Sequence, residues 1–432
     1  MPAPTPFARL VAMDRLPATR SSRKVDLERL KSTLLDLSRI GFNEDDKGIY
    51  RTGFSEADMS ARQWLMDLLA RENFHPRMDG AGNVYGSSAD SDLPTVTLGS
   101  HLDTVPAGGI FDGALGVVAA LEVLRTCREL DLNLSWPLEL LATSEEEGRY
   151  GGMLGAQAIA GVLTPGVILN MHDADGNRLA DAMEAAGLDP LGALDARRLP
   201  ESMRAFLELH VEQGPVLERM GKTIGVVDGI SGVFKWIVRL IGKADHAGTA
   251  PMNMRSDAFM GLADFAHEIP RIIDENGTDR SRLTVGKVEL KPGSPHTIPG
   301  EALFTLVGRD SDESMMQELC NSCLKSLSAI ARRHNLKLEY EQISWLAPMK
   351  CDLELVEMLE REASTLEYDF LRMPSGAGHD TQFLSEITRA GLVFVPSVGG
   401  VSHSPDEWTH WSDIECGANL LLNAAITLAT EK

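Results

Sequence analysis

A chain of 432 residues, 43% hydrophobic and 24% charged, has the size and composition of a globular protein with two or three domains. The formal net charge of −22 argues against binding to nucleic acid or anionic membranes, because both require Lys and Arg to neutralise phosphate. No run approaches the ~18 apolar residues of a membrane span, and the N-terminus lacks the pattern of a signal peptide, so we expect a cytoplasmic protein.

The N-terminal region predicts two helices after a flexible arm that ends at about Ser22. The first helix, Val25–Ile40, carries leucines at helical spacing on one side. The second begins after Ser55, whose side chain is suited to an N-cap, and runs to about Arg71. A turn is predicted at Asp79–Asn83.

The next strand ends in residues that can bind metal. Thr95–Leu98 reads as a buried strand, and His101 and Asp103 follow it. A glycine-containing loop then leads to Asp112 and to a predicted helix. Imidazole and carboxylate groups at this edge of a sheet suit zinc and similar ions, although a polar loop with an incidental histidine is an equal alternative for this stretch alone.

Three further predicted strands end in the same way. Leu138–Thr143 precedes three adjacent glutamates, Phe206–Val211 contains a histidine, and Leu392–Pro396 is followed by another histidine. Alone, the glutamates are better explained by a solvated loop, and a lone histidine by a structural role. Four such strand ends instead favour one parallel-rich sheet whose carboxyl edge gathers a ligand set. That set consists of His101, Asp112, Glu147, His210 and His403. Five ligands fit two ions that share one bridging carboxylate.

The region from about Thr223 to Trp345 has a different pattern of strands and helices, which predicts a small α+β sandwich inserted into the first fold. Its elements are Phe234–Ile241, Ser256–Ile273, Leu283–Leu290, Ala302–Val307, a helix over Asp312–Asn335 and Leu336–Ile343. Cys320 and Cys323 form a C-x-x-C inside the last helix. A buried helical face is favoured over zinc for this pair, and five scattered cysteines suggest reduced thiols.

Eight motifs in order along the chain carry a resemblance to a known family. They are Gly99–Pro106, Phe111–Gly116, Glu146–Gly148, His210–Pro215, Asp245–Met252, Ile298–Glu301, Ser375–Asp380 and Ser402–Pro405. The sequence resembles the hydantoinase/carbamoylase amidases of the M20 metallopeptidase superfamily, which include N-carbamoyl-L-amino acid hydrolases, β-ureidopropionases and allantoate amidohydrolases. The resemblance implies an α/β zinc-peptidase-like catalytic domain, with a mixed and mostly parallel sheet flanked by helices, and an inserted α+β lid and dimerisation domain.

The resemblance also implies the roles of the metal ligands. Asp112 would bridge two divalent ions, which could be zinc, manganese, cobalt or nickel. His101 and His210 would complete one site, and Glu147 and His403 the other.

The catalytic roles follow from the same motifs. Asp103 would orient His101, and Glu146 would be the general base. Counting forward from the preceding strand selects Glu146 and Glu147 as the family pair rather than Glu145 and Glu146. His246 would reach the active site of a second subunit and stabilise the oxyanion.

Four residues are expected to contact substrate. Gln213 lies in the His210–Pro215 motif, and Gly378 lies in a loop that we expect to face substrate. Arg309 would grip a substrate carboxylate, since a guanidinium can form a bidentate pair. His296 stands where the family usually has Asn, two residues before its Ile-Pro-Gly, so a substrate-contacting amide is replaced by imidazole.

The sequence therefore predicts a homodimeric, dinuclear-metal hydrolase of small ureido or N-carbamoyl acids. Its catalytic domain would comprise residues 1–222 and 346–432, and the lid residues 223–345. Two alternatives stay open: an M20 aminoacylase or dipeptidase with the same metals, and a silent ligand-binding homologue, against which the intact Glu146 argues.

Overall fold

The computed structural model describes residues 23–431. The arm predicted before Ser22, and the reading of the N-terminus, lie outside this range. Among the described helices, none is both long enough and apolar enough to cross a membrane.

Helices and strands alternate along most of the described chain. The helices are α1 (Leu27–Ser38), α2 (Glu56–Arg71), α3 (Ala114–Glu129), α4 (Leu154–Ala160), α5 (Pro165–Asn170), α6 (Leu179–Ala185), α7 (Val216–Met220), α8 (Ala258–Asn276), α9 (Glu313–Arg333), α10 (Leu353–Thr365), α11 (Thr381–Leu384) and α12 (Trp411–Thr430). The strands are β1 (Pro76–Met78), β2 (Val84–Ser87), β3 (Thr95–His101), β4 (Leu138–Thr143), β5 (Met203–Val211), β6 (Ile224–Ile230), β7 (Gly232–Ile241), β8 (Arg282–Lys291), β9 (Glu301–Asp310), β10 (Lys337–Leu346), β11 (Met349–Lys350), β12 (Phe370–Ser375) and β13 (Ala390–Val395).

Local sequence patterns correctly predicted the positions of several of these elements. Ser55 caps α2 by accepting a hydrogen bond from the backbone N–H of Asp58, as its position before the helix predicted. The predicted strand Leu138–Thr143 coincides with β4. Cys320 and Cys323 are buried on α9, which confirms the prediction of a buried helical face.

Within residues 23–431, nine strands form the larger sheet, in the order β1-β2-β4-β3-β5-β13-β6-β11, with β12 paired to β6. The central strands β4, β3, β5 and β13 run parallel, so their carboxyl ends meet at one edge. Helices cover both faces, because α3 and α12 pack on one side and α4 and α11 on the other. This confirms the predicted fold class.

Side chains along β5 alternate between the two faces of the sheet, and this alternation determines which of them enter the main hydrophobic core. Leu207 and Leu209 pack into the main hydrophobic core, whereas Phe206 belongs to the cluster on the opposite face. Successive side chains of a strand point to opposite faces, so Glu208 and His210 share the face of Phe206.

The second sheet is antiparallel, in the order β10-β7-β9-β8, and α8 and α9 pack together on one face of it. It begins at Gly232, because β6, which lies inside the predicted 223–345 insert, pairs in the larger sheet instead. Even-numbered residues of β9 face the helices, so Arg309 lies on the opposite face.

Candidate active site

The carboxyl edge of the four central strands brings the predicted metal ligands together. His101 is the last residue of β3, and His210 is the penultimate residue of β5. Glu147 follows β4, His403 follows β13, and Asp112 lies just before α3. The sequence placed each group at a strand or helix end, and the strand order makes them neighbours.

Asp112 lies at the centre of this ligand set. Its Oδ1 is 3.6 Å from His101 Nε2 and 3.1 Å from His210 Nε2. Its Oδ2 is 3.4 Å from His403 Nε2, which is also 3.3 Å from Glu147 Oε2. The donors thus form two groups, His101–Asp112–His210 and Asp112–Glu147–His403, each with ligand atoms within 4.8 Å of one another. A carboxylate with one oxygen facing each group is suited to bridging two ions.

Backbone carbonyls orient the two buried histidines toward Asp112. His101 Nδ1 lies 3.0 Å from the carbonyl oxygen of Asp103, and His210 Nδ1 lies 2.9 Å from that of Val211. A carbonyl can only accept, so each Nδ1 carries the proton and each Nε2 presents a lone pair. This is the tautomer that a metal ligand requires.

Gly113 allows His101 to lie against the start of α3. Its φ is +61°, and a Cβ at this position would lie 2.4 Å from His101 Nδ1 and Cε1. Any other residue would be strained and would displace the imidazole.

Asp103 contacts two parts of the site, one through its backbone and one through its side chain. Its backbone carbonyl holds His101, while its carboxylate lies 4.0 Å from that ring. The carboxylate instead accepts the backbone N–H groups of Glu146 at 3.2 Å and of Glu147 at 3.1 Å, one on each oxygen. Asp103 therefore holds His101 through its backbone carbonyl, and its side chain positions the loop that carries the glutamates.

The three adjacent glutamates face different surroundings. Glu146 and Glu147 line the cavity above the ligand set. The carboxylate of Glu145 points away and accepts the backbone N–H groups of Tyr150 at 2.6 Å and Gly152 at 3.1 Å. This placement favours the pair selected by counting from the strand, with Glu145 holding the loop that follows.

The carboxylates of this region are crowded and buried. Burial, followed by the charge of Asp112, raises the pKa of Glu147 to about 7. Burial also raises the pKa of Glu146 well above its usual value, and the charge of Glu147 adds to the shift. In addition, Glu147 Oε1 is buried without a hydrogen-bond partner among the described residues. Two cations would compensate this charge and satisfy this oxygen, so the residues fit a dinuclear metal centre.

Glu407 is a site residue that the sequence reasoning missed. Its Oε1 accepts the backbone N–H groups of Phe111 and Asp112 at 3.2 and 3.0 Å, and its Oε2 accepts from the Ser402 hydroxyl at 2.9 Å. It is buried, and this burial together with Asp112 raises its pKa to about 7. Glu407 therefore joins the loop of Asp112 to the loop of His403. Its place four residues after His403 was the only available signal.

The side chain of Gln213 contacts two members of the ligand set. Its side-chain amide donates to Asp112 Oδ2 at 2.9 Å and lies 3.3 Å from His403 Nε2. Its backbone has a φ of 57°, a conformation that few non-glycine residues adopt. Gln213 can therefore orient the carboxylate of Asp112 and still reach a ligand in the cavity.

The ligand set opens into a cavity of about 460 Å³. Three of the four residues expected to contact substrate line it together with Met153, namely Gln213, Arg309 and Gly378. Arg309 Nη1 donates to the carbonyl oxygen of Gly376 at 2.9 Å, and among residues 23–431 no carboxylate pairs with this guanidinium. Burial lowers the pKa of Arg309, so an anion in the cavity would be a favourable partner.

His246 and His296 lie outside this cavity. Both are exposed, and they share a loop pair of the second sheet, where the backbone of Ala247 donates to the carbonyl oxygen of His296 at 2.9 Å. His246 Nδ1 accepts the backbone N–H groups of Gly248 and Thr249 at 3.0 and 3.2 Å. Its proton is therefore on Nε2, which is available to donate to another molecule.

His379 and Asp380 do not form a hydrolase dyad. His379 Nε2 lies 2.9 Å from the hydroxyl of Ser375, and its ring packs edge-on against His210 with centroids 4.6 Å apart. The carboxylate of Asp380 accepts a hydrogen bond from Thr143 instead. Ser375 is buried and does not line the cavity, so it is not placed to act as a nucleophile on a molecule bound there.

Known proteins are similar to this chain over almost its whole length. The family model of Peptidase family M20/M25/M40 matches residues 97–427. An N-carbamoyl-L-amino-acid amidohydrolase of Paenarthrobacter aurescens is 36% identical over 93% of this chain and 97% of its own length. The allantoate amidohydrolase of Escherichia coli (strain K12) is 32% identical over 94% and 98%. The crystal structure of a hydantoinase/carbamoylase family amidase from Burkholderia multivorans has a TM-score of 0.88 at 32% identity, covering 95% of this chain and 99% of that one.

Proposed function

The chain belongs to peptidase family M20/M25/M40, among the hydantoinase/carbamoylase amidases, and from this premise we propose that it hydrolyses the C–N bond of N-carbamoyl amino acids or related ureido acids with two divalent metal ions. The observation that carries the proposal is the placement of Asp112, with one carboxylate oxygen facing each group of ligands. The similarity to amidohydrolases of ureido acids supports the reaction class.

The metal centre would be held by the residues already described. His101 and His210 would hold one ion, Glu147 and His403 the other, and Asp112 would bridge them. When bound, such a pair polarises a carbonyl and makes a water molecule more acidic.

Glu146 would be the general base and later the general acid. One of its oxygens lies 3.7 Å from His101 Nε2, so it is beside the ligand set yet outside both ligand groups. We propose that its carboxylate takes a proton from the attacking water and passes it to the leaving nitrogen. Asp103 fixes the backbone of this residue. The final products from a carbamoyl substrate would be the amino acid, ammonia and carbon dioxide.

Substrate would be held at its carboxylate by Arg309, with Gly378 beside it in the cavity wall. Two donors of the planar guanidinium can meet both oxygens of a carboxylate. Gln213 would hold the substrate at the metal side of the cavity.

His246 would act across a homodimer. It is exposed and does not line the cavity of its own chain, and its Nε2–H is free to donate. We propose that the second sheet and its helices form a lid and dimerisation domain that carries His246 to the site of a second subunit, where it stabilises the oxyanion. His296, on the adjoining loop, would approach the same substrate.

A substrate panel tests the reaction. The purified protein would be stripped with a chelator, reloaded separately with zinc, manganese, cobalt or nickel, and assayed on N-carbamoyl amino acids, ureidopropionate and allantoate. We expect release of ammonia from ureido acids and little activity on N-acyl amino acids or dipeptides. The reverse preference would indicate an aminoacylase or dipeptidase, and metal binding without any turnover would indicate a silent binding protein.

A further inference from the structure

Met153 is an apolar side chain in an otherwise polar site. Among the described residues that line the cavity, it is the one hydrophobic side chain larger than alanine. The others are titratable or polar groups, or the small residues Ala377, Gly378 and Gly400. The proposed reaction gives no role to a thioether, so Met153 requires a separate explanation.

The backbone holds Met153 in an uncommon conformation. Its φ is 55°, in the left-handed region that methionine rarely adopts. Its N–H donates to the carbonyl oxygen of Glu146 at 3.0 Å, and its own carbonyl accepts from Gln157 at 2.8 Å. The carboxylate of Glu145 holds the preceding amides of Tyr150 and Gly152. Such conformations persist where the surroundings impose them, and they concentrate at binding sites.

The same conformation recurs around this cavity at residues with a clear place in the site. Glu145, Gln213 and His403 have φ values of 54°, 57° and 53°. Gln213 and His403 present their side chains to Asp112. Met153 lines the cavity as Gln213 and His403 do, but it presents an apolar group.

Met153 and Arg309 are close enough to contact one small molecule. A Cβ on Gly378 would lie 2.1 Å from Met153 Cε, so the missing side chain of Gly378 makes room for the methyl group. Arg309 binds the carbonyl oxygen of Gly376, two residues earlier in the same loop. Two residues span at most about 7 Å of chain. If the carboxylate of a small substrate binds Arg309, the rest of that substrate therefore lies near Met153.

We propose that Met153 contacts the side chain of the substrate and that the preferred substrates are N-carbamoyl amino acids with an apolar side chain. This inference rests on the proposed function and narrows its substrate class. An unbranched thioether is flexible and adapts to apolar groups of different shapes. Its sulfur is only a weak hydrogen-bond acceptor, so the second ureido group of allantoate would lose its bound water with little compensation.

The first test uses the wild-type protein, loaded with metal, and a series of substrates that share the same carbamoyl and carboxylate groups. The series comprises N-carbamoylglycine, N-carbamoylmethionine, N-carbamoylleucine and allantoate. We expect kcat/KM for the methionine and leucine derivatives to exceed that for the glycine derivative and allantoate by about tenfold or more. Equal rates, or a preference for glycine or allantoate, would overturn the inference and leave the proposed function intact. Hydrolysis of no ureido acid at all would overturn both.

The second test changes the contact itself. Met153→Gln keeps the length of the side chain and makes it polar, and it should lower the ratio of kcat/KM for the methionine derivative to that for the glycine derivative by about tenfold. Met153→Leu should retain the preference. Met171→Gln is the matched control and should leave the ratio unchanged. Met171 lies beside the same loop, where a Cβ on Gly151 would be 3.2 Å from its Cε, and it does not line the cavity.

Gly378→Ala serves as a second variant if Met153→Gln does not fold. The added methyl would overlap Met153 Cε and displace it, so the same ratio should fall. If Met153→Gln or Gly378→Ala is folded and metal-loaded and retains the full wild-type preference, the inference is overturned.

Discussion

Arg309→Lys is the change that most directly tests how the site recognises its substrate. The guanidinium has five N–H donors, and Nη1 uses one of them on the carbonyl oxygen of Gly376. The remaining donors face a cavity in which no carboxylate of the described chain pairs with them. Lysine keeps the charge but cannot make the planar fork.

The size of the expected fall in kcat/KM follows from the hydrogen bond that the substitution removes. The substitution should remove one of two charge-assisted hydrogen bonds to the substrate carboxylate, and such a bond contributes about 1.5–3 kcal/mol. This corresponds to a fall in kcat/KM of about ten- to 150-fold. The loss should disappear with an analogue whose carboxylate is replaced by an amide, because that analogue cannot use the fork in wild type either.

The assay compares kcat/KM for carboxylate and amide substrates in wild type and variant, with Arg282→Lys as the matched control. Arg282 lies opposite Arg309 in the register of β8 and β9, but it donates to the carbonyl oxygens of Asp279 and Ser281 and does not line the cavity. We expect the control to behave as wild type. Equal losses for both substrates in Arg309→Lys would show that the residue is structural and would refute the reasoning.

Four further outcomes are expected. Glu146→Gln should lower kcat by at least about 100-fold while metal content, measured by elemental analysis, is retained; a comparable loss in Glu145→Gln instead would place the base one residue earlier. Asp103→Asn replaces one of the two carboxylate oxygens that accept backbone N–H groups with a donor, so kcat should fall about ten- to 100-fold with little change in KM, and unchanged kinetics would contradict the role of its carboxylate. His246→Ala and Glu146→Ala should be inactive alone and partly active after mixing, unless verified heterodimers show no complementation. Chelation should abolish activity and lower Tm by about 2 °C or more, and both should recover on metal addition; full activity after metal removal would exclude a metal mechanism.

Several features of this protein could be predicted from its sequence because they depend on local physical chemistry. Ser55 before a helical run predicts a helix start, and the apolar run Leu138–Thr143 predicts a buried strand. The same reasoning predicted ligand-type residues at four strand ends. Because parallel strands present their carboxyl ends at one edge, a common location for His101, Glu147, His210 and His403 followed without coordinates.

The contacts that define the site depended on the tertiary structure. Glu407 binds the backbone of Phe111 and Asp112, almost 300 residues earlier in the chain, and no local pattern encodes such a pairing. The resemblance assigned Asp103 to His101, but only the structure shows that its carboxylate also binds the amides of Glu146 and Glu147, on the loop that follows the neighbouring strand.

The direction in which a side chain points was also decided by the fold. Three adjacent glutamates are equivalent in the sequence, but a positive φ at Glu145 turns its carboxylate toward Tyr150 and leaves the next two facing the cavity. Met153 gave no sequence signal and lines the cavity, whereas His246 lies in a clear motif and is exposed. The sequence thus determined which residue types reach the edge of the sheet, since strand and helix periodicity are local. Packing between distant segments determined which groups meet there, because those contacts exist only once the chain is folded.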